Sequence, residues 1–159
     1  MTRQILVGGL MCIALGSGAL ADDKTEPGKA PAARHPGLEQ LKKLAGTWVA
    51  ADKDGKPTDK VVSVIKVTAG GSAVQETLFP GQPEEMLSVY HLDGTDLVMT
   101  HYCMLGNQPR MKADPKSPKD QIRWLFDGGT NFDPAKDMHM HDGTLKFIDA
   151  DHIEFSGAA

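Results

Sequence analysis

The chain has 159 residues, 24% of them charged and 40% hydrophobic, with 17 Gly and 10 Pro. That is the profile of a soluble globular domain, not of a disordered, collagen-like or multi-span membrane chain. A net charge of -4, with no run of Lys or Arg, lacks the electrostatic footprint that nucleic-acid binding requires.

Residues 1–21 carry one basic residue, Arg3, then the apolar run Ile5 to Leu15, and end in Ala19-Leu20-Ala21. This is the order of a secretory signal peptide, with cleavage expected before Asp22. The apolar run is shorter than the roughly 20 residues that cross a bilayer, so no stable membrane insertion is expected after cleavage. Cys12 follows Leu10-Met11, and the bulky Met argues against lipidation. The protein is expected to be exported, periplasmic or secreted. Removing Arg3, the segment's one charge, takes the net charge from -4 to about -5 and leaves Cys103 as the remaining cysteine. One cysteine forms no internal disulfide, so stability must come from the core.

Residues 22–36 are charged and Pro-rich without apolar periodicity, the composition of a disordered leader. From residue 37 to 159 a single domain is expected. It opens with Leu38, Leu41 and Leu44, one amphipathic helical turn ended at Gly46. β-structure follows, with strands predicted at 47–51, 61–67, 73–79, 86–92, 97–104, 121–126, 138–148 and 152–156. Turn chemistry at Asp54-Gly55, Gly70-Gly71, Pro80-Gly81, Asp93-Gly94, Gly128-Gly129 and Asp149-Ala150-Asp151 separates them. Asn107-Gln108-Pro109 reads as a turn, and 112–120, interrupted by Pro115 and Pro118, as an exposed loop. Strands at this spacing without intervening helices give an all-β fold, an antiparallel sandwich or an up-and-down β-barrel able to close around one small ligand.

The helical turn followed by Leu44-Ala45-Gly46-Thr47-Trp48 resembles the Gly-x-Trp motif of lipocalins and the wider calycin superfamily. The segments Tyr90-His91-Leu92-Asp93-Gly94, Thr100-His101-Tyr102-Cys103 and Gly106-Asn107-Gln108-Pro109 are similar to a group of small secreted bacterial lipocalin-like domains. The likeness covers about residues 38–156. It implies an up-and-down, lipocalin-like β-barrel whose Trp plugs one end and whose interior captures a small, mostly hydrophobic molecule. The Thr-Asp-Tyr motif of typical lipocalins is absent, and the last strand is followed only by Gly157-Ala158-Ala159. Closure of the barrel is therefore left open.

A hairpin across Asp93-Gly94, with a two- or four-residue loop, puts Met86, Ser88, Tyr90 and Leu92 on one face with Leu97, Met99, His101 and Cys103. In 138–148, Leu145 and Phe147 against Thr144 and Lys146 turn the odd positions inward, taking His139 and His141 with them. Alternation in 73–79 turns Glu76 inward. One cavity would then gather Glu76, Tyr90, His101, Cys103, His139 and His141.

Such a cluster admits hydrogen-bonded core packing of each residue, or an organic-ligand site in an apolar lining. The ligand-site reading comes first: a monomeric binding protein for a small molecule, with no required cofactor. The alternative is a metal or haem site. His139 and His141, roughly 7 Å apart at the strand rise, would converge with His101 on one ion, or one of the pair would be an axial haem ligand by analogy with other calycin-like barrels. Catalysis ranks last. Cys103 and His101 at i and i+2 lie nearly parallel, a poor geometry for proton transfer even with Glu76 nearby, and no nucleophile-elbow, phosphate-loop or dinucleotide motif is present. Trp48 and Trp124 read as packing, and Arg110 and Arg123 as solvent-face residues.

Overall fold

A computed structural model describes residues 34–158. The signal peptide and most of the leader expected from the sequence lie outside the described residues. The described chain forms one α-helix, α1 (Pro36–Lys43), followed by nine strands, with a short 3-10 turn at Ala69–Gly71 between the second and third. They are β1 (Gly46–Ala51), β2 (Pro57–Thr68), β3 (Ala73–Leu78), β4 (Met86–Asp93), β5 (Asp96–Tyr102), β6 (Gln108–Ala113), β7 (Gln121–Thr130), β8 (Asp142–Phe147) and β9 (Ile153–Ala158). Every strand pairs antiparallel with the next, giving a single up-and-down sheet curled into a half-barrel.

α1 begins where Pro36 can take the first helical position at no cost in hydrogen bonding. His35 caps it, its Nδ1 accepting from the Gly37 N–H at 3.1 Å. Leu38, Leu41 and Leu44 are buried against the concave face, and α1 packs on β3 and β4. Each such side chain contributes roughly 1.5–3 kcal/mol by its burial. The Trp48 indole N–H donates to the Leu44 carbonyl at 2.8 Å. That bond satisfies an acceptor that the helix end leaves unpaired and fixes β1 to the helix.

The β4–β5 hairpin closes through the two-residue turn Gly94-Thr95, with Asp93 opposite Asp96. Gly94 takes φ 60° at the first central position, where a type II′ turn needs glycine. The turn sets the register: Ser88 lies opposite His101, Tyr90 opposite Met99 and Leu92 opposite Leu97. The concave face is apolar, with Val74, Met99, Met111, Ile122, Trp124 and Leu145 at its centre. On the convex face Arg110 pairs with Asp93 and Asp127, and Lys112 with Asp96, as the alternation of β6 requires.

Three local expectations change. The segment assigned to a turn and the start of a loop is the strand β6, with Pro109 and Met111 buried and Gln108, Arg110 and Lys112 half-buried. Pro109 cannot donate to a ladder, and the register shifts between Pro109 and Met111, which hides the strand from a period-two reading. The strand expected at 138–148 begins only at Asp142, so residues 138–141 are not strand. The sheet has nine strands where eight were expected, and β1 and β9 are its edges. It is an open arc instead of a closed barrel.

Candidate functional site

The inward alternation of β3 and β4 brings Glu76 and Tyr90 together. The Tyr90 hydroxyl donates to Glu76 Oε2 at 2.5 Å, and the Ser63 hydroxyl of β2 donates to Oε1 at 2.7 Å. The Tyr90 ring is 6% exposed and lies 5.5 Å from Trp124, tilted by 42°. Burial, and then the charge of Glu76, push the phenol well above its ordinary pKa, so it remains a hydrogen-bond donor. Among the described residues no Lys or Arg pairs with Glu76. The carboxylate is thus half-buried, held by two neutral donors and left with spare acceptor capacity.

This group borders a cavity of about 100 Å³. Its walls are apolar: Leu41 and Leu44 from the helix, Ile65, Val74 and Leu78 from β2 and β3, and Leu145, Ile153 and Phe155 from β8 and β9. Glu76, Ser88 and Tyr90 supply the polar atoms. Phe155 pairs with Leu145 on the concave side, yet it is 51% exposed, because β9 is an edge strand. It lines the cavity while also lying open to water.

His101 lies behind Ser88, its Nδ1 3.0 Å from the Ser88 hydroxyl, and is 2% exposed. Burial holds its pKa below the ordinary imidazole value, so it is neutral at physiological pH. A serine beside a neutral imidazole is half of a nucleophile relay. Among the described residues no acidic group bonds the other ring nitrogen to orient it.

His139 and His141 form a second, separate cluster. β7 is longer than β8: Leu125 pairs with Asp142, but Phe126 and the residues after it reach past the last β8 partner. The chain from 131 to 141 folds over that uncovered stretch. His139 packs 4.9 Å from Phe126 and 4.6 Å from Phe132, and His141 stacks on Phe126 at 5.0 Å. Because these residues leave the strand, the imidazoles are not spaced along one face. The His139 Nε2 and His141 Nδ1 atoms approach to 3.2 Å. His139 is buried, whereas His141 is exposed, contrary to the inward position expected for it.

The six residues therefore divide. Glu76 and Tyr90 share the cavity, His101 touches it through Ser88, and His139 pairs with His141 elsewhere. Cys103 lies past the end of β5 in the turn to β6, where its N–H donates to the Asn107 carbonyl. Among the described residues no three His, Cys, Asp or Glu side chains converge as a metal site, so the triad of His101, His139 and His141 does not form. Sequence reading passed over Ser63, whose signal was a lone hydroxyl on the inward alternation of a Val-rich strand. It also missed the clamp of Phe126 and Phe132, which depends on the unequal lengths of β7 and β8.

No family model, curated protein or solved structure matches the chain.

Proposed function

We propose that this is an exported, monomeric binding protein of lipocalin-like build that holds a small, mostly apolar molecule inside its curved sheet. The observation that carries the reading is the Glu76 carboxylate. It is half-buried on an apolar cavity, hydrogen-bonded by Ser63 and Tyr90, and has no cationic partner among the described residues. A charge drawn partly out of water without a counter-charge carries part of the desolvation cost of burial. A ligand that places an ammonium or N–H donor on Glu76 and its carbon skeleton against the Leu and Ile walls removes that cost. Size limits the occupant. Organic-ligand sites generally run from roughly 300 Å³ upward, while this cavity holds about 100 Å³. A short-chain amine fits as the cavity stands, and anything longer requires Phe155 to swing outward. The order of residues 1–21 supports export, and the Gly46-Thr47-Trp48 motif tied to the helix end supports the lipocalin likeness.

The test is native mass spectrometry of residues 22–159 from an exporting host, followed by saturation-transfer NMR with butylamine and, for comparison, butanol. An organic adduct, or a butylamine signal absent with butanol and lost in Glu76→Gln, supports the reading. A bare chain that gives no transfer from butylamine overturns it.

A further inference from the structure

The two-histidine cluster is independent of the Glu76 cavity. The His139 Nδ1 lies 2.7 Å from the Asp137 carbonyl oxygen. A carbonyl only accepts, so Nδ1 carries the proton and Nε2 presents a lone pair. Fixing an imidazole tautomer through a backbone carbonyl is how proteins prepare histidines as metal ligands. The His141 Nδ1 is 3.2 Å from that lone pair. Two nitrogens bound to one tetrahedral zinc at 2.0–2.1 Å stand about 3.3 Å apart. The 3.2 Å separation is set by the hydrogen bond between the rings, and because it lies close to that tetrahedral spacing an ion can take the shared proton's place with little movement of the nitrogens. Phe126 and Phe132 hold the ring planes, and the exposure of His141 leaves the pair open to solvent. The Asn107 Nδ2 donates to the Met138 carbonyl at 2.8 Å, which ties the segment carrying the two histidines to the turn before β6.

We propose that His139 Nε2 and His141 Nδ1 form a two-nitrogen site for a tetrahedral divalent cation of the zinc class, with the remaining positions filled by water or an exogenous donor. The Asp137 Oδ2 accepts from the Asp133 N–H, and the Asp137 carboxylate does not converge with the two histidines. With no third His, Cys, Asp or Glu converging among the described residues, the ion keeps open positions, the condition of exchangeable rather than structural zinc. Without metal, the His141 Nδ1–H donates to His139 Nε2. For both nitrogens to bind the ion, the His141 proton must leave Nδ1 while one is taken up at its Nε2. Binding therefore changes a tautomer without changing the net charge of the imidazoles.

The experiment is long-range ¹H–¹⁵N imidazole NMR of the uniformly labelled protein at mildly alkaline pH, titrated with zinc chloride. His141 is expected to pass from the Nδ1–H to the Nε2–H form along a one-site saturation curve, while His139 stays Nδ1–H with its Nε2 resonance shifted. His141→Ala, a change at an exposed site, should fold normally and lose the saturable zinc response; His152→Ala should keep it. If His141 remains Nδ1–H in excess zinc, or if His141→Ala takes up zinc as the parent does, the proposal fails.

Discussion

Replacing Tyr90 by Phe removes one oxygen and keeps the ring on Trp124, so it isolates the bond to Glu76. Hydrogen bonds to charged groups contribute a net of about 1.5–3 kcal/mol. Glu76 keeps Ser63 and is only half-buried, so water recovers part of the loss. The expected destabilisation is therefore at the low end, about 1.5–2 kcal/mol. Urea unfolding followed by tryptophan fluorescence reads it directly, with a lower midpoint and an unchanged slope, because the surface exposed on unfolding hardly differs. Glu76→Gln in the same background supplies the cycle: the two changes should couple by at least about 0.5 kcal/mol. The pH dependence gives a second signature. The folded-state pKa of Tyr90 is raised above the unfolded value near 10. The stability it confers is therefore complete below that pH and is lost as pH rises above it, since only the unfolded phenol ionises. The loss is about 1.4 kcal/mol per pH unit, so the parent and Tyr90→Phe curves should meet at about pH 11–11.5. A variant within about 0.5 kcal/mol of the parent, or strictly additive with Glu76→Gln, would show that the Tyr90–Glu76 bond does not hold the site together.

His101 carries the opposite pH signature. Burial lowers its folded-state pKa below the unfolded value near 6.5, so its contribution is complete above that pH and declines as pH falls, when the unfolded chain gains the proton. His101→Asn should flatten the urea midpoint between about pH 7 and 5 relative to the parent, and parallel curves would refute the assignment. Two glycines of the curved sheet, Gly129 and Gly143, should differ sharply. At Gly129 the φ is 154°, and a Cβ would stand 2.6 Å from the Gln108 carbonyl and 2.5 Å from the Phe132 ring. Gly129→Ala is expected to cost about 2–4 kcal/mol. At Gly143 a Cβ meets the Phe155 ring at 2.9 Å and, less closely, the Ser156 carbonyl at 3.5 Å. That edge ring can swing aside, so Gly143→Ala should lower the thermal midpoint by clearly less, and a reversed order would refute the packing argument.

What was legible in the sequence depended on whether position followed from local periodicity. Strict alternation in 86–92 and 97–104 put Ser88 and Tyr90 on one face with Met99 and His101 whichever loop closed the hairpin, and the two-residue turn of the structure then fixes Tyr90 opposite Met99 and Ser88 opposite His101. Alternation in 73–79 likewise turned Glu76 toward Tyr90. Periodicity gave out wherever a strand contained an irregularity. β6 holds Pro109 at a register shift, and only its pairing to β5 and β7 identifies it as a strand. His139-x-His141 failed for a different reason. The pattern that predicts an inward pair requires the strand to continue, and β8 pairs with β7 and β9 only from Asp142 onward. Where the ladder ends, the backbone is released and the side chains of 131–141 find the cheapest apolar surface within reach, the uncovered Phe126 of the longer β7. A difference in length between neighbouring strands is a property of the whole sheet. It converts two histidines that a strand would hold roughly 7 Å apart into a pair with nitrogens 3.2 Å apart, and no window of local sequence contains that information.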